Sequence, residues 1–178
     1  MSLWLVLGGS ASGKSAFAER LVGTIMRHRA VHYIATMDES LLGPGDEEFL
    51  QRIERHQRRR PREWTVWVEP GDPVARILSL PETVPILWDG VGPVIGRRMP
   101  GDGKGLEALS QSLHHLGRRS GDTVVVSEEA GQGLMPASPE ERRFVEALGR
   151  INQELAENAA GVAVVVAGIP VWIKGTPV

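Results

Sequence analysis

Short apolar runs alternate along the chain with longer stretches whose apolar residues recur every three or four positions. Leu3–Leu7 (LWLVL), His32–Thr36 (HYIAT), Thr65–Val68, Val84–Trp88, Thr123–Ser127 (TVVVS) and Val162–Ala167 (VAVVVA) read as strands, with a short tail strand at Val171–Ile173. Ser15–Arg29 reads as a helix, with Phe17, Leu21 and Ile25 at four-residue spacing. Glu47–Arg60 carries Phe49, Leu50 and Ile53 on one face and is stopped by Pro61. Val74–Leu80 and Leu106–Leu116 are two further helices. Ser138-Pro139-Glu140-Glu141 opens the last one, which runs to about Asn158: an N-cap, then proline at the first helical position and acids in the first turn. Met37–Asp46, Gly90–Gly105 and Gly131–Pro136 read as loops from their glycine and proline content, and Gly90–Gly105 is the candidate flexible excursion. Apolar strands without alternation are buried on both faces, and strands alternating with helices make βαβ units. The pattern therefore predicts an α/β fold with a mostly parallel sheet flanked by helices.

A length of 178 residues predicts one domain spanning 1–178. Hydrophobic residues at 42% and charged residues at 24% are those of a globular chain. A net charge of −2 provides no global field for nucleic acid or an anionic membrane. Cysteine is absent, which excludes a disulfide scaffold and a cysteine nucleophile and suits a reducing compartment. His28, His32, His114 and His115 have no metal-ligand spacing, so no zinc site is expected. The five tryptophans sit mostly in or beside apolar strands and read as core. No apolar run reaches membrane-spanning length and the first residues lack a basic signal-peptide region, so a cytoplasmic protein is expected.

Gly8-Gly9-Ser10-Ala11-Ser12-Gly13-Lys14-Ser15 fits G-x-x-x-x-G-K-[ST], after a buried strand and at the start of a helix. Glycines let main-chain N–H groups curl around phosphate oxygens, and the helix N-terminus adds its positive dipole end. Lys14 would reach the β- and γ-phosphates and Ser15 would ligate Mg²⁺. The chain has three lysines against seventeen arginines, so a lysine inside this loop is informative. The motif identifies a nucleotide binder without naming a reaction.

Arg52–Arg62 holds six arginines around His56. On a helix, Arg52, Arg55, Arg59 and Arg60 lie within three or four positions of it. Neighbouring cations disfavour imidazolium, so His56 is expected neutral and could attack phosphorus while arginines hold the polyphosphate. The competing reading is a surface histidine on a solvated helix with pairs such as Glu48–Arg52. Asp89 ends a strand, where a P-loop fold commonly holds Mg²⁺. Glu128 and Glu129 end another, and Glu129 is the candidate acid/base for an acceptor hydroxyl.

These motifs in this order resemble the bifunctional adenosylcobinamide kinase / adenosylcobinamide-phosphate guanylyltransferase family of cobalamin biosynthesis. The similarity rests on Leu5–Ser15 with Ala18-Glu19, Tyr33-Ile34-Ala35-Thr36, Arg52-Ile53 with His56, Arg60-Pro61 and Trp64, Glu69-Pro70, Glu128–Pro136, Arg142-Arg143-Phe144, Gly149-Arg150-Ile151-Asn152 and Gly168-Ile169-Pro170. It implies phosphorylation of the aminopropanol hydroxyl of adenosylcobinamide by ATP or GTP. A transfer of GMP from GTP would follow, through a guanylylated histidine that maps to His56. It also implies a nucleotide-binding set in which Ala35, Thr36, Arg55, Gln57, Arg58, Arg59, Arg60, Glu69 and Asp89 join the loop, with Lys14 catalytic, and a homotrimer. The chain differs from the family pattern at Ala11, where arginine is usual, at Gly90–Gly96 and at Glu128, where asparagine is usual. A monofunctional kinase or guanylyltransferase and a P-loop nucleotide-binding regulator are the other classes open to the same motifs.

Overall fold

The computed structural model describes residues 2–26, 30–37, 43, 45, 47–100 and 103–176, with the side chains at 48, 49, 52, 55, 56 and 59 outside the description. In chain order the elements are β1 (Leu3–Gly8), α1 (Lys14–Ile25), β2 (His32–Ala35), α2 (Glu47–Arg59), β3 (Thr65–Val68), α3 (Pro73–Ser79), β4 (Ile86–Asp89), α4 (Gly92–Arg98), α5 (Lys104–Leu116), β5 (Thr123–Glu128), α6 (Pro139–Asn158), β6 (Gly161–Val166) and β7 (Ile169–Lys174). The strands form one sheet in the order β3-β2-β4-β5-β1-β6-β7. Every pairing is parallel except β6 with β7.

The unbroken apolar run of β1 follows from its central position. Leu5 pairs with Val125 on one side and Val162 on the other, so both edges and both faces are covered. Side chains alternate across the sheet. Leu3, Leu5 and Leu7 meet α3, α4, α5 and α6 through residues such as Ile77, Ile95, Leu113 and Leu155. Trp4 and Val6 face the other way, onto Phe17, Ala18 and Leu21 of α1. Truncating a fully buried residue such as Ile34 to alanine should cost about 2–5 kcal/mol. Arg119 is buried and donates to the carbonyls of Ile77, Leu80, Pro81 and Val84, fastening α3 and the turn before β4. The α6 start is a reciprocal cap: Glu141 N–H donates to Ser138 Oγ and Ser138 N–H to the Glu141 carboxylate, each at 3.1 Å.

The loop expected over Gly90–Gly105 is corrected: it contains α4, and α5 already begins at Lys104. Its glycines and proline read as helix breakers, but Pro93 occupies the helix start, where a fixed φ and a missing N–H are harmless. Val91, Val94 and Ile95 are fully buried at helical spacing. The expected tail strand is longer and forms a hairpin with β6, turning at Ala167 (φ 49°) and Gly168 (φ 80°), the two-residue turn that needs positive φ at both positions. Most of the Met37–Asp46 loop lies outside the described residues.

Candidate active site

The phosphate loop is held by its main chain. Gly8 leaves no room for a side chain: a Cβ there would lie 2.4 Å from Ser12 Oγ and 2.8 Å from the Val165 carbonyl. Ser12 N–H donates to the Gly9 carbonyl at 3.3 Å, and Gly168 N–H to the Ser12 carbonyl at 2.8 Å. The hairpin turn therefore buttresses the loop. Ala11 (φ 55°) and Gly13 (φ 90°) adopt the left-handed conformation that bends the chain into α1. Gly13, the residue before α1, offers no side-chain cap, so the helix start is open toward the loop. Lys14 is buried, and its Nζ donates to the Gly9 carbonyl at 3.2 Å.

Asp89 reaches this loop from the end of β4, with β5 lying between β4 and β1. Ser15 Oγ donates to Asp89 Oδ1 at 3.2 Å, and the buried Tyr33 hydroxyl donates to Asp89 Oδ2. Burial, then the Asp89 charge, pushes the Tyr33 phenol well above its usual range, so it stays a hydrogen-bond donor. Thr36 Oγ1 donates to the Asp89 carbonyl at 3.1 Å, which fixes the strand end. The Arg60 guanidinium lies 3.8 Å from the centre of the Tyr33 ring, and Trp64 stacks near the same ring. A relay of contacts thus runs from the end of α2 through Tyr33 and Asp89 to Ser15.

These groups line a cavity of about 1160 Å³. Ser10, Lys14, Ser15, Ala35, Thr36 and Asp89 form its phosphate end. Ile53 and Gln57 of α2 and Arg60, just past its end, line it as well. The His56, Arg55 and Arg59 side chains lie outside the described residues. Arg58 points away: it is exposed and paired with Glu54 at 3.2 Å. Glu69 faces α3, accepting from Asp72 N–H at 3.3 Å and pairing with Arg76 at 3.5 Å. Glu128 and Glu129 both line the cavity. Glu128 accepts from Gly92 N–H at 2.8 Å and so anchors α4, while Glu129 accepts from Gly131 N–H at 2.8 Å.

Three contributors do not stand out from the residues alone. Tyr33 is signalled only by a phenol inside a buried strand, where its hydroxyl must find a partner. Arg97 donates to the carbonyls of Thr36, Pro70 and Pro93, pinning three segments at the cavity rim. Asn152 binds Ser127 Oγ and the Glu128 carbonyl, holding the end of β5. The last two depend on chain segments that meet only in the fold.

The parallel sheet, the glycine loop opening α1 and the Ser15–Asp89 contact define a P-loop nucleotide-binding protein. Solved structures share that fold. An ATPase domain matches with a TM-score of 0.54 at 12% identity, over 92% of this chain and 68% of that one. The flagellar accessory protein FlaH from Methanocaldococcus jannaschii matches with 0.54 at 13%, over 98% and 79%. The chain belongs to the cobinamide kinase / cobinamide phosphate guanyltransferase family, whose model matches residues 4–173. Similar proteins include the bifunctional adenosylcobalamin biosynthesis protein CobP of Pseudomonas aeruginosa, 35% identical over 97% of this chain and 98% of the relative. The bifunctional adenosylcobalamin biosynthesis protein CobU of Escherichia coli is 32% identical over 96% and 98%. The family is one of nucleotide-dependent kinases and guanylyltransferases, and the chain is such an enzyme.

Proposed function

We propose that one domain over residues 1–178 phosphorylates the aminopropanol hydroxyl of adenosylcobinamide and then converts the product to adenosyl-GDP-cobinamide. The carrying observation is that one cavity joins the phosphate loop, Asp89 and two residues, Ile53 and Gln57, of the helix to which position 56 belongs. In the first step the acceptor oxygen bonds to the γ-phosphorus of ATP or GTP, the bridge to the β-phosphate breaks, and the nucleoside diphosphate leaves. Glu129 takes the hydroxyl proton, and Lys14 with the loop amides holds the charge that builds on the phosphates. In the second, an imidazole nitrogen of His56 bonds to the α-phosphorus of GTP and pyrophosphate leaves. A phosphate oxygen of cobinamide phosphate then attacks that phosphorus, breaks its bond to nitrogen and takes the GMP.

Gln57 and Arg60, with Arg55 and Arg59, are assigned to the nucleotide on the strength of α2's position, and Ala35 and Thr36 on that of the resemblance, whereas Arg58 and Glu69, which the resemblance also implies, are held by Glu54 and Arg76 instead. Ser15 and Asp89 offer hard oxygen donors side by side, a set that suits Mg²⁺, which keeps water and phosphate oxygens as its other ligands. When bound there it would neutralise polyphosphate charge.

A homotrimer belongs to the same proposal. Ile169, Val171 and Ile173 on one face of the edge strand β7 are 66%, 53% and 63% exposed, surface that a second copy would cover. Sedimentation of the free chain tests it, and a monomer at micromolar concentration would refute it. The proposal has no nucleic-acid partner and places the reaction in the cytoplasm. Among the described residues no helix is long and apolar enough to cross a membrane.

The deciding experiment is incubation with GTP labelled at the α-phosphorus, followed by denaturation. An acid-labile, base-stable label that disappears in His56→Ala is the expected result. A chain that binds GTP but takes no label would lose the transferase half and keep only the kinase.

A further inference from the structure

Helix α4 is a ridge between two cavities. On one side Gly92, Pro93 and Gly96 line the nucleotide cavity. On the other, Gly96 and Met99 line a second cavity of about 900 Å³, whose walls include Pro100, Leu106 and Phe144. Gly96 and Phe144 belong to both. The glycines of the ridge differ in what requires them. At Gly92 a Cβ would lie 2.7 Å from the Glu128 carboxylate, so that glycine is set by packing. At Gly96 a Cβ would meet nothing within 4 Å, and the residue is exposed. Its φ is not in the left-handed region. Glycine is a poor helix former, and neither packing nor backbone conformation calls for one here. What its missing side chain does provide is a notch in the ridge, where the two cavities meet.

We propose that the second cavity is the bed for the macrocycle of the corrinoid acceptor, and that the aminopropanol arm crosses α4 at the Gly96 notch to reach the phosphate loop. This rests on the function proposed above. The acceptor has to bring a hydroxyl or phosphate to Lys14 and Ser15 while its ring stays outside the space taken by the nucleotide. A cavity that shares Gly96 and Phe144 with the nucleotide site puts the two within reach of one ligand. Its chemistry matches a flat ring edged with amides: Met99, Leu106 and Phe144 supply an apolar surface, and Ser138, Glu141 and Arg143 a polar rim. The volume is at the upper end of the roughly 300–1,000 Å³ that small-molecule sites span.

The test compares wild type with Gly96→Ala, Gly96→Leu and Met99→Gln. Binding of cobinamide is followed by its visible absorption, and GTP binding and α-phosphorus labelling are followed in the same samples. Gly96→Ala should melt no lower than wild type, because alanine favours the helix and meets no neighbour. Gly96→Leu should weaken cobinamide binding on the order of tenfold, and Met99→Gln, which lines only the second cavity, should weaken it on the order of threefold with GTP binding retained. Wild-type affinity for cobinamide in Gly96→Leu would overturn the notch, and in Met99→Gln the bed. Failure of the parent reading looks different: wild type itself would bind GTP, take no label and ignore cobinamide.

Discussion

The phosphate loop and helix α2 face the same cavity and are built in opposite ways. The loop is a main-chain device. Gly8 is closed to any side chain, while Ser10 and Ala11 are exposed, and amide–carbonyl bonds to Gly9 and from Gly168 hold the curve. Helix α2 is a side-chain device at the rim. It precedes the exposed strand β3, and a described tie to the sheet runs through Arg60, just past its end, on the Tyr33 ring. The comparison teaches that the loop is sensitive to volume and backbone and indifferent to many side chains, whereas α2 depends on which side chains it carries.

The largest expected effect separates the two regions by chemistry. His56→Ala should abolish the covalent label while GTP binding, read by isothermal titration, survives. Loss of binding together with label would mean that α2 is part of the nucleotide clamp and that the two devices are one. Next, Lys14→Ala should reduce nucleotide turnover by about 10²–10³-fold, the scale of removing one preorganised electrostatic contact, and should lower both phosphoryl and guanylyl transfer. Steady-state rates of the two half-reactions test this, and an unaffected kinase would detach the loop from the first step.

Tyr33→Phe sharpens the comparison, because it keeps the ring under Arg60 and deletes only the hydroxyl that supports Asp89. A ligand that loses its supporting hydrogen bond typically costs about tenfold in metal affinity. Mn²⁺ binding in the presence of GTP, read by electron paramagnetic resonance, should fall by about that factor, and unchanged binding would remove Tyr33 from the relay.

The smallest effect lies away from the cavity, where β2 begins beside β3. His32 Nδ1 accepts from Trp67 Nε1 at 2.9 Å between β2 and β3, which requires that nitrogen to be unprotonated. Burial, and secondarily the Arg119 charge, lowers its pKa. A lowered histidine pKa means that the unfolded chain binds the proton more readily. The associated stability is therefore present above about pH 6.5 and is lost as pH falls through the folded value. Melting temperature should drop slightly more between pH 7 and 5 in wild type than in His32→Gln.

Legibility in the sequence follows the same division. The loop is readable because strand, glycines, Lys14 and Ser15 are adjacent in the chain. The buried strands are readable because burial on both faces leaves unbroken apolar runs. The helix at Gly92–Arg98 escapes a reading by composition because the glycines and prolines of Gly90–Gly105 outweigh the spacing of Val91, Val94 and Ile95. Glu69 and Arg58 group with the nucleotide by their place in motifs, and only the fold shows the first turned to α3 and the second paired with Glu54. The Tyr33–Asp89 and Arg97 contacts join residues far apart in the chain, which no local pattern records.

The bond from Gly168 N–H to the Ser12 carbonyl also bears on when the site can exist during synthesis. The loop emerges early, but β1 must wait for β5 and β6 on either side of it, and the buttress comes roughly 150 positions later. A growing chain that stops short of the last hairpin therefore carries the whole phosphate-binding motif and no finished place for a phosphate. Nucleotide capture should favour chains folded through the β6–β7 turn, and GTP added to a translation mixture should protect chains that include it more than shorter nascent ones.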